Sequence, residues 1–237
     1  MSTNNRKLYL LGGIFFFIFL GAGAQQAYLI PYLTRVTGWD KLQCSTILGV
    51  VYVSMTVFRV GNLFLFPRWS DRRFTLVGTL SYLLFCVVMC LTYWTHSYAL
   101  ALAVSLLWGI GAALMWTGTT MQVLSVTDAA GGKHGTGMGF LYASTHAGWL
   151  TGAVVLGLVY RRLSDENLWI LCAVAAAFTL MGVLLATSLP STGPAIREDP
   201  SLRHMFHILK RRRAQIASIL QFLSALAYGL LLGTFSR

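Results

Sequence analysis

A polytopic all-α membrane bundle is the fold class this sequence predicts, and three observations carry the prediction. Of 237 residues, 56% are hydrophobic and 11% charged, with a mean hydropathy of +0.66, whereas a soluble domain carries roughly 25% charged residues. Apolar runs long enough to cross a hydrocarbon core, about 20 residues each, occur at Leu8 to Leu33, Cys44 to Phe66, Phe74 to Thr95, Tyr98 to Leu124, Gly137 to Tyr160, Leu168 to Leu189 and Ile216 to Phe235. Finally, the first three runs match the next three in sequence. Two inverted three-helix repeats, plus a seventh transmembrane helix, account for all three observations.

The net charge of +11 would suit a nucleic-acid binder if it were spread over a soluble surface, but it is not. With the N terminus placed in the cytoplasm, twelve Lys and Arg residues fall on inside segments and five on outside ones, which is the positive-inside bias. No nucleic acid is expected as a partner. The first run is too long for a removable signal peptide and reads as a retained anchor. The expected location is therefore an integral protein of the cell (inner) membrane, in contact with membrane lipids.

Within the first run, Gly21, Gly23 and Ala24 offer a close-packing face. Gln25 and Gln26 follow and point about 100° apart on a helix, so one of them turns to the protein interior, either to bond a neighbouring helix or to line a central cavity. The second run holds Arg59, the charged residue set well inside an apolar span. It lies about two turns from the end of its helix and either snorkels to the interface or faces a cavity, where it would attract an anionic group. A basic loop follows with Arg68, Asp71, Arg72 and Arg73. Cys86 and Cys90 in the third run share a helix face, and packing is the expected use of such a pair in lipid.

The fourth run ends in a polar stretch with Trp116, Thr117, Thr119, Thr120 and Gln122. Its threonines can bond back to their own helix, while Trp116 and Gln122 are candidate cavity residues. The loop Asp128 to Gly135 lacks the GxxxxGK[ST] phosphate-binding pattern and is read as a turn. Run five carries His146, an intramembrane ionisable group that belongs on a cavity or a partner, and the close-contact pair Gly148 and Gly152. No Asp or Glu lies inside any run. Beyond Leu189 a polar linker leads into a helix started by Asp199 and Pro200, with Leu202, Met205, Phe206 and Leu209 on one face and arginines around it; it is expected on the cytoplasmic leaflet. His204 and His207 are too few to hold a metal.

The internal match sets GAGA at 21–24 beside GIGA at 109–112, Gly49, Tyr52 and Ser54 beside Gly139, Tyr142 and Ser144, and Arg68, Ser70 and Asp71 beside Arg162, Ser164 and Asp165. The offsets are 88, 90 and 94. An odd number of helices per unit inverts the second copy, and bundles built this way place a substrate site at the midplane where the repeats meet. The domain reading is residues 1–189 as a six-helix transmembrane half-bundle with repeats at about 8–95 and 98–189, residues 190–213 as a cytoplasmic linker with an amphipathic surface helix, and residues 214–237 as the seventh helix.

Two inverted triplets, a basic link and a further span resemble the major facilitator superfamily of secondary transporters. The loop between its second and third spans carries G-x-L-[GAS]-D-R-x-G-R-[RK]; here Ser70, Asp71 and Arg72 match, and Pro67, Phe74 and Thr75 stand where the family has Gly, Gly and Arg. In the fourth-span motif Gly109, Gly111 and Ala112 fit, with Ser105 at the arginine position. The fifth-span motif is glycine-rich, as Gly148 and Gly152 are. The resemblance implies transport of a small-molecule solute, possibly anionic, by alternating access, with Asp71, Arg72 and Arg68 as a gating loop and no cofactor. Candidate substrate-binding residues are Arg59, Gln25, Gln26, Trp116, Gln122 and His146. About half of a family member is covered, so a second transporter half, or a larger membrane complex served by a transport-inactive scaffold, is the expected protein partner. The spans offer no paired carboxylates, metal cluster or nucleophile constellation, so no enzyme activity is expected.

Overall fold

The structure is a computed structural model. It describes residues 3–190 with the exception of 130, and beyond them residues 212, 215, 216 and 219; at residues 3, 4, 60 and 63 it describes backbone alone. The predicted linker helix and seventh span lie, but for those few positions, outside the described residues. Two compact units divide the chain, residues 1–195 and 196–237; the bundle below belongs to the first.

Six long helical spans make up this unit. The first joins α1 (Thr3–Ile18) and α2 (Ala24–Thr37) through a single π-helical turn, Phe19–Gly23. The others are α3 (Lys41–Leu65), α4 (Asp71–Thr95), α5 (Tyr98–Asp128), α6 (His134–Arg162) and α7 (Trp169–Thr187), with a short 3₁₀ turn, Asp165–Asn167, before α7. Among the described residues, five helical stretches are long and apolar enough to cross a membrane; α6 is not among them. Its glycines and polar stripe explain that.

Local chemistry sets the ends. Asp40 and Gln43 form a reciprocal capping box on α3, at 2.7 and 3.1 Å, which satisfies two backbone donors that a helix start leaves open. Ser70 and Ser97 cap α4 and α5 with their hydroxyls. The first span ends at Gly38, whose φ of 72° is open to glycine without cost.

The π turn in the first span has a tertiary cause. A wide turn releases a backbone N–H from the regular ladder, and here the Ala22 N–H donates to Thr179 Oγ1 of α7 at 2.9 Å. Gly21 lies hard against Ala175 and Thr179 on that same helix, where a Cβ would strike backbone atoms. Close approach and a lent hydroxyl hold the distortion in place.

Packing between spans follows one rule. The first span of each triplet sits against the second and third spans of the other: α1–α2 packs on α6 and α7, while α5 packs on α3 and α4. The two third spans, α4 and α7, also pack on each other. Individual contacts repeat the pattern. Gly111 lies against Ser81 as Gly21 lies against Ala175, and Met115 meets Gly78 as Gln25 meets Cys172. These pairs are related by offsets of 90 and 94, so the structural counterpart of Gly21 is Gly111, two residues on from the match that GAGA and GIGA suggest. Four letters of small residues fit two registers, and only the third-span neighbours choose between them.

Candidate functional site

Helices α3 and α6, the second spans of the two triplets, each keep one open face. On α3 it runs Gly49, Tyr52, Thr56, Arg59, all exposed; on α6 it runs Gly139, Tyr142, His146, exposed, and then half-buried Trp149. Spacings of three and four residues put each set on one helical stripe. The stripes correspond position by position at the offset of 90. A Cβ at Gly49 or Gly139 would meet nothing within 4 Å.

Trp116, on α5, is the point where four spans converge. Its ring takes Phe15 edge-on at 4.8 Å and Phe19 at 5.9 Å from the first span, and lies 5.7 Å from Tyr142 of α6 at an interplanar angle of 33°. The guanidinium carbon of Arg59, from α3, stands 5.8 Å from its centroid. Arg59, on an exposed helix face, thus has an aromatic ring as its neighbour, a contact that contributes about 0.5–1 kcal/mol where water has access. Beside it, the Tyr52 hydroxyl donates to Gln26 Oε1 at 2.8 Å and ties α3 to the first span. Gln26 with Tyr52 and Trp116 with Tyr142 are the same pair of positions in the two triplets.

The charge balance of this cluster is one-sided. Among the described residues the ion pairs are Arg35 with Asp165 and, when the imidazole is protonated, His134 with Asp128; Arg59 enters neither. Nor does any span contribute a carboxylate along its interior.

Two of the candidate residues lie elsewhere. Gln25 is buried between helices, its Nε2 donating to Cys172 Sγ at 3.1 Å, so it ties the first span to α7 and does not line the open face. Gln122, also buried, donates to Thr75 Oγ1 at 2.9 Å and to the Asp71 carbonyl at 3.3 Å, locking the end of α5 onto the start of α4. Helix phase decides both cases: each glutamine falls on the side of its span that packs against a neighbour. His146 sits on the α6 stripe, one turn from Tyr142, and exposed.

The loop 66–70 is braced on its own half. Trp69 stacks on Phe66 at 4.3 Å and meets Phe74 at 5.8 Å. Arg72 donates through Nη2 to the Thr187 carbonyl at the end of α7, 3.1 Å away, while Arg68 is exposed. At the other end of the bundle the matching loop holds Asp165, which accepts from Arg35 Nε at 2.9 Å and from its Nη2 as well. Arg35 also lies over the Tyr160 ring, 5.2 Å from its centroid.

Sequence reasoning left Tyr52, Tyr142, Phe15 and Phe19 off the site. For the tyrosines a signal existed, because they are the repeat markers and so had to occupy equivalent places. Asn62 was also missed: it is fully buried one turn beyond Arg59, with neither amide atom bonded among the described residues. No group of three or more potential metal ligands occurs among the described residues. An apolar groove of about 570 Å³ between α4 and α5, with Val77, Leu80, Leu84 and Leu107 on its walls, offers almost no polar surface and suits acyl chains rather than a polar solute.

No protein-family model and no curated protein sequence matches this chain. Among solved structures it is similar in fold to the peptide transporter POT. A mutant of that protein in complex with alafosfalin superimposes with a TM-score of 0.65 at 17% identity, over 95% of this chain and 46% of the transporter. POT in complex with sulfate gives 0.64 at 17%, over 96% and 46%. POT belongs to the major facilitator superfamily. The chain thus has the helical fold of a membrane transporter and spans about half the length of the solved structures it matches.

Proposed function

We propose that the described bundle is one half of a facilitator-type secondary transporter, carrying a small solute by alternating access, and that Arg59 receives an anionic group of that solute. The observation that carries this reading is the seat of Arg59 beside Trp116, where the first, second, fourth and fifth spans meet and no carboxylate among the described residues pairs with the guanidinium. Inverted triplets put such a site near the midplane. That POT is seen with alafosfalin and with sulfate supports a small solute. The open stripes of α3 and α6, with Gly49 and Gly139 bare, are the surface a second six-helix half would approach, whether it comes from the same chain or another. The charge bias supports an N terminus and a loop 66–70 on the cytoplasmic side of the cell membrane.

Uptake into proteoliposomes tests this. With acetate, benzoate and sulfate offered against neutral solutes of like size, Arg59→Gln should cut anion uptake at least about tenfold, the loss of a charge-assisted bond. Arg59→Lys should retain part of it. Equal uptake above that of empty liposomes by wild type and R59Q would remove Arg59 from the site, whereas uptake by neither would favour the alternative, a transport-inactive scaffold of a larger membrane complex.

A further inference from the structure

Resting on the transporter reading above, we infer that the solute is an aromatic monocarboxylate, its carboxylate on Arg59 and its ring laid along Tyr142. The guanidinium carbon of Arg59 stands 5.8 Å from the Trp116 centroid on an exposed helix face, and its planar N–H fork matches a carboxylate. Next to Trp116, the Tyr142 ring is inclined to it by 33° and is 41% exposed. It extends the aromatic wall by one partly open ring.

Part of the polar chemistry on the same wall is already taken. The Tyr52 hydroxyl and the Gln26 carbonyl satisfy each other, which leaves less capacity to recognise a sugar-like array of hydroxyls. With no carboxylate inside the described spans, this half offers no counter-charge for an ammonium, which disfavours amines and zwitterions. What remains is a guanidinium beside an aromatic surface, with exposed His146 one turn along from Tyr142. A rigid ring bearing one negative charge meets both at the smallest conformational cost.

The test uses the protein extracted in its native assembly into lipid nanodiscs, with equilibrium binding of benzoate, cyclohexanecarboxylate, benzamide and phenylalanine. Benzoate should bind about three- to tenfold tighter than cyclohexanecarboxylate, the increment of an aromatic pair over equal apolar area. Tyr142→Leu should erase that preference and leave cyclohexanecarboxylate affinity in place, whereas Tyr142→Phe should keep it. Arg59→Gln should weaken both carboxylates by about tenfold or more. Because Tyr142 and Arg59 are exposed, these changes leave no cavity, and an unchanged elution volume will confirm the fold. Equal affinity for the two carboxylates, with R59Q weakening both, would overturn the aromatic assignment and leave the anion-transporter reading standing. Benzamide or phenylalanine binding as tightly as benzoate would overturn the assignment, and failure of every anion to bind would overturn that reading as well.

Discussion

Along α3 the open stripe reads Gly49, Tyr52, Thr56, Arg59, and along α6 it reads Gly139, Tyr142, His146, Trp149. The first two positions agree and the last two do not. Glycine at the first position keeps backbone accessible for close approach, and tyrosine at the second ties each helix to the first span of a triplet, through Gln26 in one copy and Trp116 in the other. Shared positions therefore build the frame. The divergent ones supply chemistry, and inversion gives that chemistry a direction: Arg59 lies toward the end that carries the N terminus, and Trp149 toward the opposite end. A duplicated unit that was symmetric in sequence would have put a cation at both depths. Here the two depths differ: Arg59 stands at one, beside an aromatic ring, and Trp149 at the other.

The sharpest way to break the comparison is to add bulk on the two faces of α6. Gly148 sits against the Phe16 carbonyl and its neighbouring backbone atoms, which cannot move aside. Gly148→Val should destabilise the bundle by about 1–3 kcal/mol or more through overpacking. Gly139→Val, into open space, should leave stability within about 0.5 kcal/mol. Thermal unfolding in detergent, followed by size-exclusion chromatography, reads both. A Gly139→Val loss as large as that of Gly148→Val would mean that the α6 stripe is a packed face, and the site argument would fall with it.

A smaller effect separates the two tyrosines. Tyr52→Phe removes a hydrogen bond between α3 and the first span and should cost about 0.5–1.5 kcal/mol. Tyr142→Phe keeps the ring contact with Trp116 and should be nearly silent in the same unfolding assay. A double-mutant cycle with Gln26→Leu would attribute the Tyr52 loss to that bond. If both phenylalanine variants melt alike, the copies use their tyrosines in the same way and the proposed division of labour is wrong.

These particulars also mark what the sequence could and could not disclose. Six helices were legible from the apolar runs, although α6 falls short of the apolar length that the other five reach, and the repeat was legible from Tyr52 and Tyr142, because duplication fixes spacing. That one glutamine of Gln25 and Gln26 turns inward followed from the 100° step between them. Which one does so depends on Cys172, 147 residues away. The π turn was hidden for the same reason: Thr179 lies 157 residues from the amide it caps. Gln122 looked like cavity lining because polar residues in a span suggest water, yet here one polar side chain fastens two helix ends. Helix phase relative to a distant neighbour is the quantity a single sequence does not contain.

The two loops that share the R-x-S-D pattern give the smallest and most diagnostic contrast. At the start of α4 the main-chain carbonyl of Asp71 is held by the buried amide of Gln122, whereas before α7 the side chain of Asp165 is held by Arg35. The second arrangement is exposed, with 38% and 74% of the two side chains accessible, so its contribution is about 0.2–1 kcal/mol at low salt. Asp165→Asn should lower the unfolding free energy by no more than that at 0.05 M salt, and by nothing measurable at about 1 M, where the screening length shrinks to about 3 Å. A loss that survives high salt would show that Asp165 acts as a neutral hydrogen-bond acceptor, making the two loops equivalent locks at the two ends of the bundle. A loss that vanishes would show that the contact between Arg35 of the first span and Asp165 before α7 is held by charge.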